Sequence, residues 1–147
     1  MKRKKKDVMI TIRSSQVIDG NESDGSELVT QGEYRFNDDS IRFSYMESEL
    51  TGLEGTLTMF QISPEEAVLS RRGKVNSRMV FRRGETNSFV YRTEFGLLQL
   101  GLFTHRMDCA MDEAGGDLRI DYDLSFEESF FSRNSFIINV KEKGLNA

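Results

Sequence analysis

The chain has 147 residues, near the commonest size for one domain and long enough to bury a core without disulfide or metal staples. Its apolar set is 37% of residues, and the 12 glycines bring it to about 45%, an ordinary balance for a folded globular protein that excludes a disordered chain. The net charge of −4 hides an uneven spread: residues 2–6 are all basic, and the remainder carries 15 basic against 24 acidic groups.

A single cysteine, Cys109, excludes an internal disulfide and a cysteine-rich metal centre. No apolar run approaches the roughly 20 residues of a membrane-spanning helix. The basic start lacks the apolar stretch of a signal peptide, so these features together point to a cytoplasmic protein.

In chain order the sequence alternates apolar and polar residues, the period of two that a strand imposes on its side chains. Residues 1–6 read as a short basic leader, followed by Val8, Ile10 and Ile12 on one strand face. Ile41, Phe43 and Tyr45 share a face opposite Arg42, Ser44 and Met46. The rhythm returns in Val75, Ser77, Met79 and Phe81, in Phe89 and Tyr91, and in Leu98, Leu100 and Leu102. It closes with Leu118, Ile120, Tyr122 and Leu124, then Phe136, Ile138 and Val140. Only Met107 to Ala114 merits a test as helix, and the alternation of Met107, Cys109 and Met111 suits a strand equally well. Short breaks rich in Gly, Asn, Asp and Ser separate these runs, the last read as Glu127 to Asn134. Short connections join antiparallel neighbours. The fold class is therefore all-β: one domain over residues 1–147, a closed antiparallel meander barrel of about eight to ten strands, because closure hides the edges that a long meander would leave open.

Several phrases are more specific than alternation. Ser44-Tyr45-Met46-Glu47 leads into Thr51-Gly52-Leu53-Glu54-Gly55-Thr56, followed by Arg71, Gly73, Met79-Val80-Phe81 and Gly84. Tyr91-Arg92-Thr93, Phe95-Gly96, Thr104, Gly115-Gly116, Tyr122 and Arg133-Asn134 continue the series. In this order, over nearly the full chain, they resemble the YwiB-like family of uncharacterised bacterial β-barrel proteins, a domain of unknown function. The resemblance implies a calycin-like barrel, distantly similar in shape to lipocalins, and implies no activity. The chain has no tryptophan and so lacks the Gly-x-Trp signature of true lipocalins. A shared fold without shared site residues assigns no ligand.

The residues that carry a chemical suggestion are polar groups continuing an apolar strand face. Glu47 follows Ile41, Phe43 and Tyr45; Arg71 follows Leu69; Thr93 follows Phe89 and Tyr91; Thr104 follows Leu98, Leu100 and Leu102. A charge cannot be desolvated alone without a cost of several kcal/mol, so Glu47 and Arg71 are expected to pair at one end of the interior. One reading is a polar anchor for a small amphipathic molecule, with Tyr45, Met79, Phe81, Tyr91 and Tyr122 as an apolar wall. The other is an internal hydrogen-bond network or simply a solvated rim.

No enzyme or cofactor signature is present: there is no zinc spacing, no phosphate-cradling loop and no calcium loop. The expectation is a protein without catalysis, cofactor or metal. His105 falls on the solvent side of its strand, and Cys109, beside Asp108, reads as a small core residue. The basic run of Arg71, Arg72, Lys74, Arg78, Arg82, Arg83 and Arg92 is expected to pair with the acids between Asp108 and Glu128 rather than with nucleic acid, since overall acidity opposes a phosphate partner. The alternative function is a protein-interaction or regulatory module, self-associating or not, acting through charged outer faces.

Overall fold

The computed structural model describes residues 4–18, 20–22, 25–37 and 39–143. Among them are strands β1 (Lys4–Ile18), β2 (Asn21–Glu22), β3 (Ser26–Asn37), β4 (Ser40–Met46), β5 (Leu57–Ser63) and β6 (Glu66–Arg72). Strands β7 (Val75–Phe81), β8 (Thr86–Thr93), β9 (Gly96–Asp112), β10 (Gly115–Phe126) and β11 (Ser129–Glu142) follow. A single 3-10 turn, Glu49–Thr51, links β4 to β5. None of the described helices is long and apolar enough to cross a membrane.

Apart from the two-residue β2, each strand pairs antiparallel with its neighbour in sequence, and β11 pairs back onto β1 from Val8↔Glu142 to Val17↔Arg133. Ten strands thus close a meander barrel. We call the end reached by Met46, Arg72 and Thr93 the upper mouth, and the end at Asn37, Ser63 and Asp112 the lower mouth. β1 begins at Lys4, and Lys4 to Lys6 already pair with Phe36 to Tyr34 of β3, which corrects the reading of residues 1–6 as a leader. The Lys6 ammonium donates to Glu142 at 2.6 Å and to the Glu113 carbonyl, so this lysine completes the lower end of the wall. Residues 1–3 lie outside the described residues. The break read at 127–134 is also shorter: β11 resumes at Ser129 after a two-residue turn in which Glu127 and Glu128 both adopt left-handed backbone.

Alternation supplies the core. Val8, Ile10, Phe43, Phe60, Leu69, Phe81, Leu102, Leu118, Ile120, Ile138 and Val140 all point inward and are buried. Rings from facing walls meet in series. Phe43 stacks on Phe60 at 5.0 Å, Phe60 meets Phe136 edge-on at 6.1 Å, Phe136 lies 5.6 Å from Tyr122, and Tyr122 meets Phe81 edge-on at 5.1 Å. The middle of the barrel is therefore filled with side chains, offset and edge-to-face, the arrangements that ring quadrupoles favour.

Two irregularities place the functional groups. On β9 the register against β10 jumps where Asp121 pairs Arg106 and Tyr122 pairs Thr104, leaving His105 as the extra residue. Such a bulge flips parity, so below it Met107 faces inward instead of an even-numbered residue. The second is a seam. β7 and β8 share rungs only at Val75↔Thr93 and Asn76↔Arg92. Beyond these, the chain after β7 reaches past β8 to β9, where Gly84 donates to the Thr104 carbonyl at 2.8 Å.

The hairpin between β9 and β10 depends on Gly116. A Cβ there would lie 2.0 Å from the Ala110 carbonyl oxygen, and the residue's φ of +143° disfavours any L side chain. Gly116→Ala should lower stability by about 2 kcal/mol or more, read as a fall in the urea midpoint at unchanged slope; an unshifted midpoint would refute the close approach.

Candidate functional site

The inner face of β4 ends in Glu47, one residue beyond the strand. Its backbone is still held, donating to Thr56 O at 2.8 Å and accepting from the Gly55 amide. Its carboxylate is buried, with 2% of the side chain exposed. Thr51 and Thr58 donate their hydroxyl protons to its two oxygens at 2.8 and 2.6 Å. These are the charge-assisted bonds that make a buried carboxylate tolerable.

Along the same layer, Tyr45 pairs Thr58, Thr58 pairs Arg71, and Arg71 pairs Ser77. The Arg71 Nε lies 4.0 Å from the Glu47 carboxylate, so the two charges do come within ion-pair reach at the upper mouth. The contact is long, and the carboxylate is already served by the threonines. Arg71 Nε is consequently buried without a hydrogen-bond acceptor, and the Ser77 and Thr104 hydroxyls share that condition among the described residues. Tyr45 and Tyr122 surround the pair as neutral phenols. Burial pushes both well above the ordinary tyrosine range, with the nearby Glu47 charge adding to the effect at Tyr45 and Arg71 offsetting part of it at both.

The remaining residues singled out from sequence also lie on the inner face, with different surroundings. Met79 and Phe81 are packed in the core. Tyr91 is half-buried against the core, and the Thr93 hydroxyl accepts from the Phe95 amide in the turn that follows. Thr104 is fully buried in the ladder opposite Tyr122. On the far wall an open cleft of about 260 Å³ is lined by Ser14, Ser26, Gln16, Tyr122, Asn134 and Phe136. Thr58, Ser77 and Asn134 were not among the candidates, although Thr58 continues the inward face of Phe60 and Ile62 just as Glu47 continues that of Tyr45.

Two expectations are corrected. Cys109 is exposed rather than a core residue, because the β9 bulge turns it toward the lower mouth, where it lines a cleft of about 550 Å³. Among the described residues no ion pair joins the basic run to the acids of β9 and β10, although Arg83 reaches β9 and its charge acts on Asp108. Arg82 instead binds Glu65, Glu66 and Glu85, while Asp108, Asp121 and Asp123 are taken by Arg106, Arg119, Arg133 and His105. β8 stands between β7 and β9, so most of the basic side chains cannot reach across. His105 does lie on the outer side, 2.8 Å from Asp123.

Replacing Arg71 by Met removes the one ion-pair partner that the described residues give a buried carboxylate and should cost about 3 kcal/mol, whereas the double replacement Glu47→Leu with Arg71→Met should recover much of that loss. Equal denaturation midpoints for the single and double variants would contradict this. Asp123 supplies a second test. Burial alone would raise its pKa, but hydrogen bonds from Arg133 and His105 hold the carboxyl below the ordinary range. A depressed folded-state pKa stabilises above the unfolded value, about 3.9, and that contribution is lost as pH falls through the folded value. The stability gap between wild type and Asp123→Asn should therefore shrink as pH falls below the unfolded value of about 3.9 and through the lower folded-state value, measured by urea unfolding; a constant gap would remove the assignment.

Comparison with known proteins agrees with this architecture. Residues 10–138 match the model of a domain of unknown function, DUF1934. The uncharacterized β-barrel protein YwiB of Bacillus subtilis (strain 168) is 30% identical over 122 residues, 82% of this chain and 84% of that protein. The crystal structure of the ywiB protein from Bacillus subtilis superposes with a TM-score of 0.84 at 24% identity, covering 95% of this chain and 94% of that one. The barrel closed by β1 and β11, with the family match over most of its length, establishes that the chain belongs to the DUF1934 family of YwiB-like β-barrel proteins.

Proposed function

We propose that this barrel is a cytoplasmic, non-catalytic carrier or sensor of a small amphipathic molecule, held at the upper mouth with its polar head toward Arg71. The observation that carries the reading is the buried Arg71 Nε, a donor without an acceptor, beside the equally unpartnered Ser77 hydroxyl. Buried donors left unpaired cost about 1–3 kcal/mol each, and such groups in a folded protein call for an explanation. An oxygen acceptor on the ligand, a carboxylate or carbonyl, would satisfy both. Glu47 does not compete for that role because Thr51 and Thr58 already occupy its oxygens. Since the aromatic core fills the middle of the barrel, the ligand body belongs in the mouth. Leu98 and Phe126, inward in parity and partly exposed, offer it apolar surface there.

A second reading, an interaction module, draws support from the exposed apolar tips of the upper hairpins, chiefly Phe95, Phe130 and Phe131. Titration with an environment-sensitive fluorescent fatty acid separates the two. Carrier function requires saturable binding that a folded Glu47→Leu, Arg71→Met double variant loses by at least about tenfold, or about 1.4 kcal/mol. Absence of saturable binding, or binding untouched in the double variant, would leave only the module.

A further inference from the structure

The lower mouth carries a different chemistry. Below the β9 bulge, Met107, Cys109 and Met111 stand at alternate positions of one strand, and all three line the same cleft of about 550 Å³. Met107 and Met111 form part of its apolar floor against the core, while the Cys109 thiol is exposed to solvent. Residues two apart on one strand face are about 7 Å apart at Cα. Methionine has three rotatable side-chain bonds, so two flanking thioethers can swing toward a central thiol. The rim adds the carboxylates of Asp39 and Asp108. Arg83, the cation in this lining, has a guanidinium nitrogen bonded to the Met107 carbonyl at 2.8 Å.

Thiolate and thioether ligands suit soft ions rather than calcium or magnesium, and a set of one thiolate and two neutral thioethers, without imidazole or carboxylate, favours a monovalent d¹⁰ ion among them. Among the described residues no group of three His, Cys, Asp or Glu side chains offers a harder alternative site. From this juxtaposition we infer that Met107, Cys109 and Met111 form a binding site for a soft monovalent cation of the Cu(I) or Ag(I) class at the lower mouth. Binding exchanges the thiol proton for the metal: the S–H bond breaks, a sulfur–metal bond forms, and one proton leaves to solvent with no change in oxidation state. Because the thiol must lose its proton to bind, affinity rises with pH. The site lies at the opposite end from the proposed ligand mouth and does not rest on that reading.

The test uses the full chain under anaerobic ascorbate, with Cu(I) delivered from its bathocuproine disulfonate complex. One equivalent should transfer to the wild type, with release of one proton. Cys109→Ser should abolish transfer. Met111→Leu, a near volume-conserving change on a half-buried side chain, should weaken it at least tenfold while leaving the thermal midpoint in place. Failure of the wild type to take one equivalent, retention by Cys109→Ser, or a Met111→Leu variant as tight as wild type would each overturn the site, the last by reducing it to an ordinary exposed thiol.

Discussion

A closed barrel of ten strands is wider than the eight-stranded size whose interior side chains just fill, so its stability turns on what spans the lumen. Here the span is a relay of rings from opposite walls. Phe43 and Phe60 come from adjacent strands β4 and β5, Phe136 and Tyr122 from β11 and β10, and Phe81 from β7. Each ring buries on the order of 150–250 Å², and together they tie walls that share no backbone hydrogen bond. The aliphatic residues of β1, β6 and β9 pack around that relay. Without it, closure between β1 and β11 would enclose a water-filled tube.

The relay also decides where polar groups can live. Toward the upper mouth the inward face changes from rings to Tyr45, Thr58, Arg71 and Ser77, one polar group on each of four consecutive strands. A carboxylate set deeper would have met only carbon. Placed at Glu47, it finds two hydroxyl donors and a guanidinium, and the tip of Arg71 still touches solvent, with 21% of the side chain exposed. The buried charge is thus a boundary feature, made tolerable by being one layer from water.

Much of this was legible in the sequence. Alternation located the inward residues of β1, β4, β7, β10 and β11, and the same parity brought Glu47 and Arg71 to one mouth, since a polar residue at the end of an apolar face lies near the rim whichever strands are neighbours. What stayed hidden was set by pairings that no single strand encodes. The Cys109 orientation depends on a bulge defined by β10, and a slip of one residue reverses every face below it. The ion pairs of Arg82 depend on which turns lie beside it: Glu65 and Glu66 are nearer than any acid of β10 because β6 precedes β7 in the sheet. Lys4 to Lys6 gave no strand signal because their pairing comes from the β3 backbone and from Glu142, not from an apolar face.

The seam between β7 and β8 carries a mechanical meaning. Every other long-strand junction around the barrel has at least five consecutive rungs, whereas this one has two and a side-chain patch, the Asn87 amide donating to the Val80 carbonyl at 3.4 Å. A cylinder under thermal stress parts along its least-stitched join, so the amides of β7 and β8 belong to the first unit to exchange with solvent, while those of β1, β10 and β11 wait for global unfolding. The unstitched length runs below those two rungs, from Ser77 toward the lower end, so the barrel can part there without opening the β1–β11 closure that makes it a barrel.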